Sequence, residues 1–262
     1  MSDLVVALIQ TTLVWEDARA NRAHFEERIQ TIKESTDLIL LPEMFTTGFS
    51  MNPRELAERM DGDSISWMYE QASKVNSVIA GSLIIQEDGR FYNRFIAVYP
   101  DGRVRHYDKR HRFTMGGEHL EYAAGNEPVV IEVNDWKIGL FVCYDLRFPV
   151  WMRNSQKVDL QVVVANWPGV RSNQWSRLLP ARAIENQCYV AAVNRIGVDG
   201  KGVDHSGNSV VLDFFGEPLA EAHSDDCILR VPLNRTELMD FRSRFPVLDD
   251  ADAFDLRLDK RN

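Results

Sequence analysis

Short apolar runs bounded by polar turns alternate with segments of helical period along this chain, and the alternation occurs twice. Val5 to Gln10 reads as a strand, Asp17 caps a helix carrying Phe25, Ile29 and Ile32 on one face, and Leu38 to Leu41 is the next strand. Ser64 starts a second helix with Ile65, Met68, Ala72 and Val75 inward. Val78 to Gln86, Phe91 to Tyr99 and Val104 to Tyr107 follow as strands, joined by turns at Asp88-Gly89 and Asp101-Gly102. In the second half Val129 to Val133, Trp136 to Val142 and Leu160 to Ala165 are strands, with a short helix beginning near Arg147. Ser172 then caps a helix whose broad face holds Trp175, Leu178, Leu179, Arg182 and Ala183; Tyr189 to Val193, Ser209 to Phe214 and Ile228 to Leu233 are the closing strands. Each half is a strand–helix–strand unit followed by strand pairs. Such a chain buries its apolar faces as one α/β domain with an approximate internal two-fold, two packed mixed sheets carrying helices outside.

Composition narrows the function. With 262 residues, 45% of them hydrophobic, the chain can bury roughly 70–75% of its unfolded surface. A net charge of −9 argues against a nucleic-acid or anionic-membrane partner. No stretch reaches the ~18 apolar residues of a membrane helix. The apolar start, Leu4 to Trp15, lacks a basic flank and a small-residue cleavage site, and reads as the first strand. Three widely spaced cysteines, Cys143, Cys188 and Cys227, make no disulfide framework and fit a reducing cytoplasm. There is no His-Glu-x-x-His or Cys-x-x-Cys, and the six histidines are dispersed, so neither a metal nor another cofactor is expected. Gly197, Gly200, Gly202 and Gly207 lie in a turn-rich excursion rather than a phosphate loop.

The chemistry gathers at strand ends. Cys143 closes the run Trp136 to Val142 and opens the polar turn Tyr144-Asp145-Leu146-Arg147, at the edge where open α/β sheets collect their sites. A buried cysteine is also an ordinary core residue. Two further strand ends favour the reactive reading: Leu38 to Leu41 delivers Glu43, and Val104 to Tyr107 delivers Lys109. A Cys–His pair of the papain type is compatible with the spacing, but it would leave Glu43 and Lys109 without a purpose.

Leu41-Pro42-Glu43, Lys109-Arg110-His111-Arg112-Phe113 and Cys143-Tyr144-Asp145-Leu146-Arg147-Phe148-Pro149 resemble the three signature motifs of the nitrilase (carbon–nitrogen hydrolase) superfamily, and Glu118 with Gly125 seven residues on resembles its second glutamate. Asn166-Trp167-Pro168, Ala181 to Gln187, Val193-Asn194-Arg195 and the tail Phe245 to Asp252 are similar to the branch that contains the bacterial omega-amidases. The resemblance implies a four-layer α-β-β-α sandwich, a hydrolase domain over 1–240, a tail over 241–262 packing at a dimer interface, and a cytoplasmic homodimer.

It also implies a thiol amidohydrolase. Cys143 would be the nucleophile, its thiol pKa lowered by Lys109. Glu43 would shuttle the proton, with burial raising its pKa toward neutrality. Lys109 and the Tyr144 backbone N–H would hold the oxyanion, while Glu118 would shape the geometry. The expected substrate is a small omega-amido 2-oxo acid, 2-oxoglutaramate or 2-oxosuccinamate, hydrolysed to the dicarboxylic acid and ammonia. Its free carboxylate needs a cation or donors, for which Arg112, Trp167, Asn194 and Arg195 are the candidates; Arg112 stands where relatives often carry Leu. Other small C–N substrates (an N-carbamoyl compound, a deaminated peptide amide, a nitrile) and a non-catalytic dimeric binding protein on the same fold are the alternatives.

Overall fold

In a computed structural model, which describes residues 3–257, the first half runs β1 (Leu4–Gln10), α1 (Ala18–Gln30), β2 (Leu38–Leu40), α2 (Pro53–Leu56), α3 (Asp63–Val75), β3 (Val78–Glu87), β4 (Arg90–Val98) and β5 (Val104–Asp108). A one-turn helix, α4 (Glu118–Glu121), leads to β6 (Val130–Val133), β7 (Trp136–Val142), β8 (Leu160–Ala165), α5 (Ser172–Asn186) and β9 (Tyr189–Asn194). The hairpin β10 (Ile196–Val198) and β11 (Asp204–Ser206) follows, then β12 (Val210–Leu212), β13 (Pro218–Glu221), β14 (Cys227–Leu233) and α6 (Arg235–Arg244).

Two six-stranded sheets result, ordered β14-β1-β2-β3-β4-β5 and β6-β7-β8-β9-β12-β13. In each, three central strands run parallel (β1, β2, β3 and β7, β8, β9), with one antiparallel strand on one flank and two on the other. That shared pattern is the internal two-fold. β14 follows the second sheet in the chain yet pairs with β1, Leu4 opposite Leu233, so the halves are interlocked.

Strand periodicity sorts the core into layers. Leu4, Val6 and Leu8 of β1 join Leu38, Leu40, Ile138, Leu140, Val162 and Val164 between the sheets. Ala7 and Ile9 point the other way, onto Phe25 and Ile29 of α1 and Met68 and Ala72 of α3. Trp175, Leu179 and Ala183 of α5 and Leu238 of α6 complete the core on the second sheet's side. The order of layers is α-β-β-α. Central strands covered on both faces read as unbroken apolar runs, which is why they are conspicuous in the sequence.

The differences from the sequence reading are local. Asp17 caps α1, its carboxylate accepting from Ala20 N–H at 2.9 Å. Ser172 does not cap α5: it is the first helical residue, Arg171 precedes it, and no side-chain cap is made. α3 begins at Asp63, one residue before Ser64, whose N–H is instead accepted by the Glu58 carboxylate at 2.7 Å. The turn after β7 starts at Cys143 rather than near Arg147, because the Asp145 carboxylate accepts from Val142 N–H and folds the chain back at once.

The turn-rich excursion is the hairpin β10–β11, paired Ile196 to Ser206 and Val198 to Asp204. α6 crosses residue 240 and is anchored on the second sheet: Arg242 donates to Val158 O at 2.6 Å and Gln187 O at 2.8 Å, and Phe241 stacks on Phe214 at 4.8 Å. The tail beyond it runs past an open cleft of about 520 Å³ shared with Val129, Phe141 and Trp151; of the expected tail, 258–262 lie outside the described residues. No described helix is long and apolar enough to cross a membrane.

Candidate active site

Glu43, Lys109 and Cys143 leave the C-terminal ends of β2, β5 and β7 and meet at one cavity of about 210 Å³. All three are buried. Lys109 Nζ donates to Glu43 Oε1 at 2.9 Å and to both oxygens of Glu118 at 2.9 Å. Two buried carboxylates therefore share one ammonium, and their residual charge is spread over further donors. Asn93 Nδ2 donates to Glu43 Oε1 at 2.7 Å and to Glu118 Oε1 at 3.3 Å; Asn166 N–H donates to Glu43 Oε2 at 2.8 Å, and Phe113 N–H to Glu118 Oε2 at 2.5 Å. Asn93 is itself oriented by Ser82, whose hydroxyl donates to Asn93 Oδ1 at 2.9 Å while accepting from Met44 N–H at 2.8 Å. This satisfies the rule that buried charge persists only when paired and hydrogen-bonded.

Burial alone would lower the Lys109 ammonium pKa; Glu118 and Glu43 outweigh it and hold the amine protonated. Burial pushes Glu118 up, against the pull of Lys109 and with the push of Glu43. The thiol of Cys143 also moves up: burial comes first, Glu43 adds to it by charge and by hydrogen bond, and Lys109 only partly offsets them. Lys109 does pull the thiol pKa down, as expected, but burial and Glu43 outweigh it, so the net shift is upward. Burial and Glu43 together thus favour the neutral thiol at rest.

Backbone geometry aims the sulfur. Cys143 sits at φ +46°, in the left-handed region that non-glycine residues seldom adopt. Asp145 holds the turn in that shape: its buried carboxylate accepts from Val142 N–H at 3.0 Å, Tyr107 OH at 2.7 Å and His111 N–H at 2.9 Å. The same carboxylate thereby ties the Cys143 turn to the loop carrying Lys109. Gly125 closes that loop. Its N–H donates to Lys109 O at 3.0 Å, and a Cβ there would fall 2.0 Å from Asp108 O, so no other residue fits.

The remaining sequence candidates separate. Tyr144 and Trp167 line the cavity. Asn194 stands behind it and clamps the Trp167 backbone from both sides, accepting from its N–H at 2.7 Å and donating to its carbonyl at 3.0 Å. Arg195 is buried under the β10–β11 hairpin, donating to Ile196 O at 3.2 Å. Arg112 turns away, donating to Tyr122 O at 3.0 Å. Neither Asn194, Arg195 nor Arg112 is part of the cavity wall.

Besides Lys109, the cations that line it are Arg147, Arg171 and Lys201, with Asp199 and His205 also in the wall. Arg171 and Lys201 carried no signal in the sequence, because only the folding of the hairpin and of the turn before α5 brings them there. Asn93 and Ser82 were missed for the same reason, being mid-strand residues of β3 and β4. Burial, then Arg195, lowers the His205 pKa, so its imidazole is neutral.

The sequence profile of the carbon–nitrogen hydrolase family matches residues 5–239. The chain belongs to that family. This carbon–nitrogen hydrolase is 47% identical to omega-amidase YafV of Yersinia enterocolitica, over 97% of this chain and 99% of the relative. It is 32% identical to the 2-oxoglutaramate amidase of Bacillus subtilis, over 94% and 96%. Among solved structures, a CN-hydrolase superfamily protein of Xanthomonas campestris with an arsenic adduct in its active site superposes with a TM-score of 0.96 at 42% identity, covering 98% of this chain and 100% of that one.

Proposed function

We propose that this hydrolase is an omega-amidase, releasing ammonia from the terminal amide of a small 2-oxo acid such as 2-oxoglutaramate or 2-oxosuccinamate. The observation that carries the chemistry is the meeting of Cys143, the Glu43 carboxylate and the Lys109 ammonium, Nζ donating to Glu43 Oε1 at 2.9 Å, in one small cavity. The choice of substrate is supported by the full-length similarity to omega-amidase YafV and to a 2-oxoglutaramate amidase. At about 210 Å³ the cavity is smaller than the ~300–1,000 Å³ of sites for drug-sized ligands, which suits a short acid.

In the proposed cycle Glu43 takes the thiol proton as Cys143 Sγ attacks the amide carbon. The charge that forms on the amide oxygen is met by Lys109 Nζ and by Tyr144 N–H, a first-turn amide with no acceptor within its own helical turn. Asn166 Oδ1 is buried without a partner in the resting site and belongs to a residue of the cavity wall, so it suits the substrate NH₂ as acceptor. Glu43 then returns the proton to nitrogen, the C–N bond breaks, and ammonia leaves a thioester on Cys143. Water enters and gives a proton to Glu43 while its oxygen attacks the thioester. The C–S bond breaks, and Glu43 restores the thiol proton. Glu118 has both oxygens engaged by Lys109 and positions that ammonium without moving protons.

Ammonia release from 2-oxoglutaramate, with glutamine as the comparison, tests this. Turnover of the oxo acid with little from glutamine is expected. An inert enzyme discards the omega-amidase reading and leaves other small amides and carbamoyl compounds to be screened.

A homodimer in the cytoplasm is part of the same reading. Exposed Phe215 and Phe245 flank Phe241 of α6, an apolar patch of the kind that marks an interface, and all three cysteines are free. Sedimentation at twice the 30.1 kDa chain mass is expected, and a monomer at micromolar concentration would refute it.

A further inference from the structure

We infer that Arg147 and Arg171 form a carboxylate clamp that sets substrate specificity in the cavity that holds Cys143. The inference deepens the omega-amidase reading and rests on it.

Three observations converge. Both guanidiniums line the cavity that contains Cys143, and both are half-buried. Among the described residues neither has a carboxylate partner or a side-chain hydrogen bond. Each lies instead over an aromatic ring of the same wall: Arg147 Cζ is 4.9 Å from the Trp167 ring centroid, and Arg171 Cζ 5.1 Å from that of Phe113. A guanidinium held over a ring by cation–π attraction keeps its N–H donors free, and those donors suit a planar carboxylate.

The charge inventory of the wall agrees. Lys109 is consumed by Glu43 and Glu118. The cations left over are Arg147, Arg171 and Lys201, and the one remaining acid is Asp199, whose Oδ1 already accepts from Lys201 and Val203 N–H. The cavity wall thus carries excess positive charge within a chain whose net charge is −9. Arg171 also immediately precedes the first turn of α5, a 15-residue helix, whose positive end adds to the field. Asn194 and the Trp167 Nε1–H bond to Arg171 O at 2.7 Å brace both the ring and the loop, so the clamp is rigid before substrate arrives.

The consequence is a two-point site. An amide is activated at Cys143 while a carboxylate is held by the arginines. A 2-amino acid amide such as glutamine would bring its ammonium beside the same cations, which repels it; a 2-oxo acid amide brings none. Hydrolysis then creates a second carboxylate beside Glu43, where no unpaired cation is available, and this favours product release.

The test is the preference for an anionic amide over a neutral one. kcat/KM for ammonia release is measured with 2-oxoglutaramate and with butyramide, for wild type, Arg171→Gln, Arg147→Gln and Arg171→Lys. Each Gln variant is expected to lower the ratio of the two values by about 10- to 100-fold, mainly through KM for the anionic amide, with Arg171→Lys retaining more of it. Thermal melts and stoichiometric alkylation of Cys143 show that each variant is folded. A ratio within twofold of wild type in both Gln variants overturns the clamp. So does an equal loss on both amides, which would mark a structural role. If wild type leaves 2-oxoglutaramate intact, the substrate reading above fails by itself, and the clamp is judged on succinamate against butyramide: a wild-type anionic preference erased by Arg171→Gln sustains it, and no preference refutes it.

Discussion

Cys143→Ala is expected to lower ammonia release by about 10⁴-fold or more while leaving the fold intact. The cavity holds no other group able to replace the sulfur. Lys109 is protonated and held by two carboxylates, and His205 has its Nδ1 3.1 Å from Val203 O. Alanine fits the space and the backbone that cysteine occupies, because the turn is held by Asp145 and not by the thiol. A change in melting temperature of no more than a few degrees is therefore expected. Cys143→Ser is expected to be nearly as inactive, since its hydroxyl meets the same Glu43 but gives up its proton far less readily. Ammonia measured against time at high enzyme concentration decides the matter. Activity within tenfold of wild type in the alanine variant would remove Cys143 from the reaction.

Lys109→Met carries the second large effect, on stability as well as on rate. The substitution strips the ammonium from between Glu43 and Glu118, both wholly buried. Breaking a buried pair in this way typically costs about 3–5 kcal/mol, because the partner charge is left uncompensated.

The pH dependence has a definite sign. In the wild type Glu118 already titrates above its ordinary value of 4.5, through burial first and with Lys109 opposing. A native carboxyl with a raised pKa binds more protons than the unfolded chain above that ordinary value, so stability falls as pH rises toward the native pKa. Removing Lys109 deletes the opposing contribution and extends that window upward. The variant should therefore melt lowest in alkaline solution and regain stability as pH falls toward about 5. Thermal melts across that range read it directly. Ammonia release should be lost at every pH, since protonating Glu118 restores no donor to the oxyanion. A variant as stable as wild type at pH 8 would contradict the account of the buried charge cluster.

Much of this protein was legible in its sequence, and for one physical reason. Strands covered on both faces must be apolar throughout, so Trp136 to Val142 and Leu160 to Ala165 stand out as runs, and Glu43 and Cys143 are the first polar residues beyond two such runs, whereas Lys109 follows the polar edge strand β5. Cys143 and Lys109 each directly follow a strand, and Glu43 is three residues past Leu40. Local chemistry likewise announced the Asp17 cap and the hairpin turns at Asp88-Gly89 and Asp101-Gly102.

What only the tertiary structure decided is everything that depends on where separate segments come to rest. The direction of the Cys143 thiol pKa was one such case: sequence shows a lysine and a glutamate, whereas the sum is set first by burial and then by Glu43 outweighing Lys109. The carboxylate candidates were another. Arg195 and Asn194 adjoin each other in the chain and lie behind the wall, while Arg147 and Arg171, 24 positions apart, share the cavity. Proximity of charges across a fold leaves no local periodicity to read, because packing of the two sheets, and no neighbouring residue, brings them together.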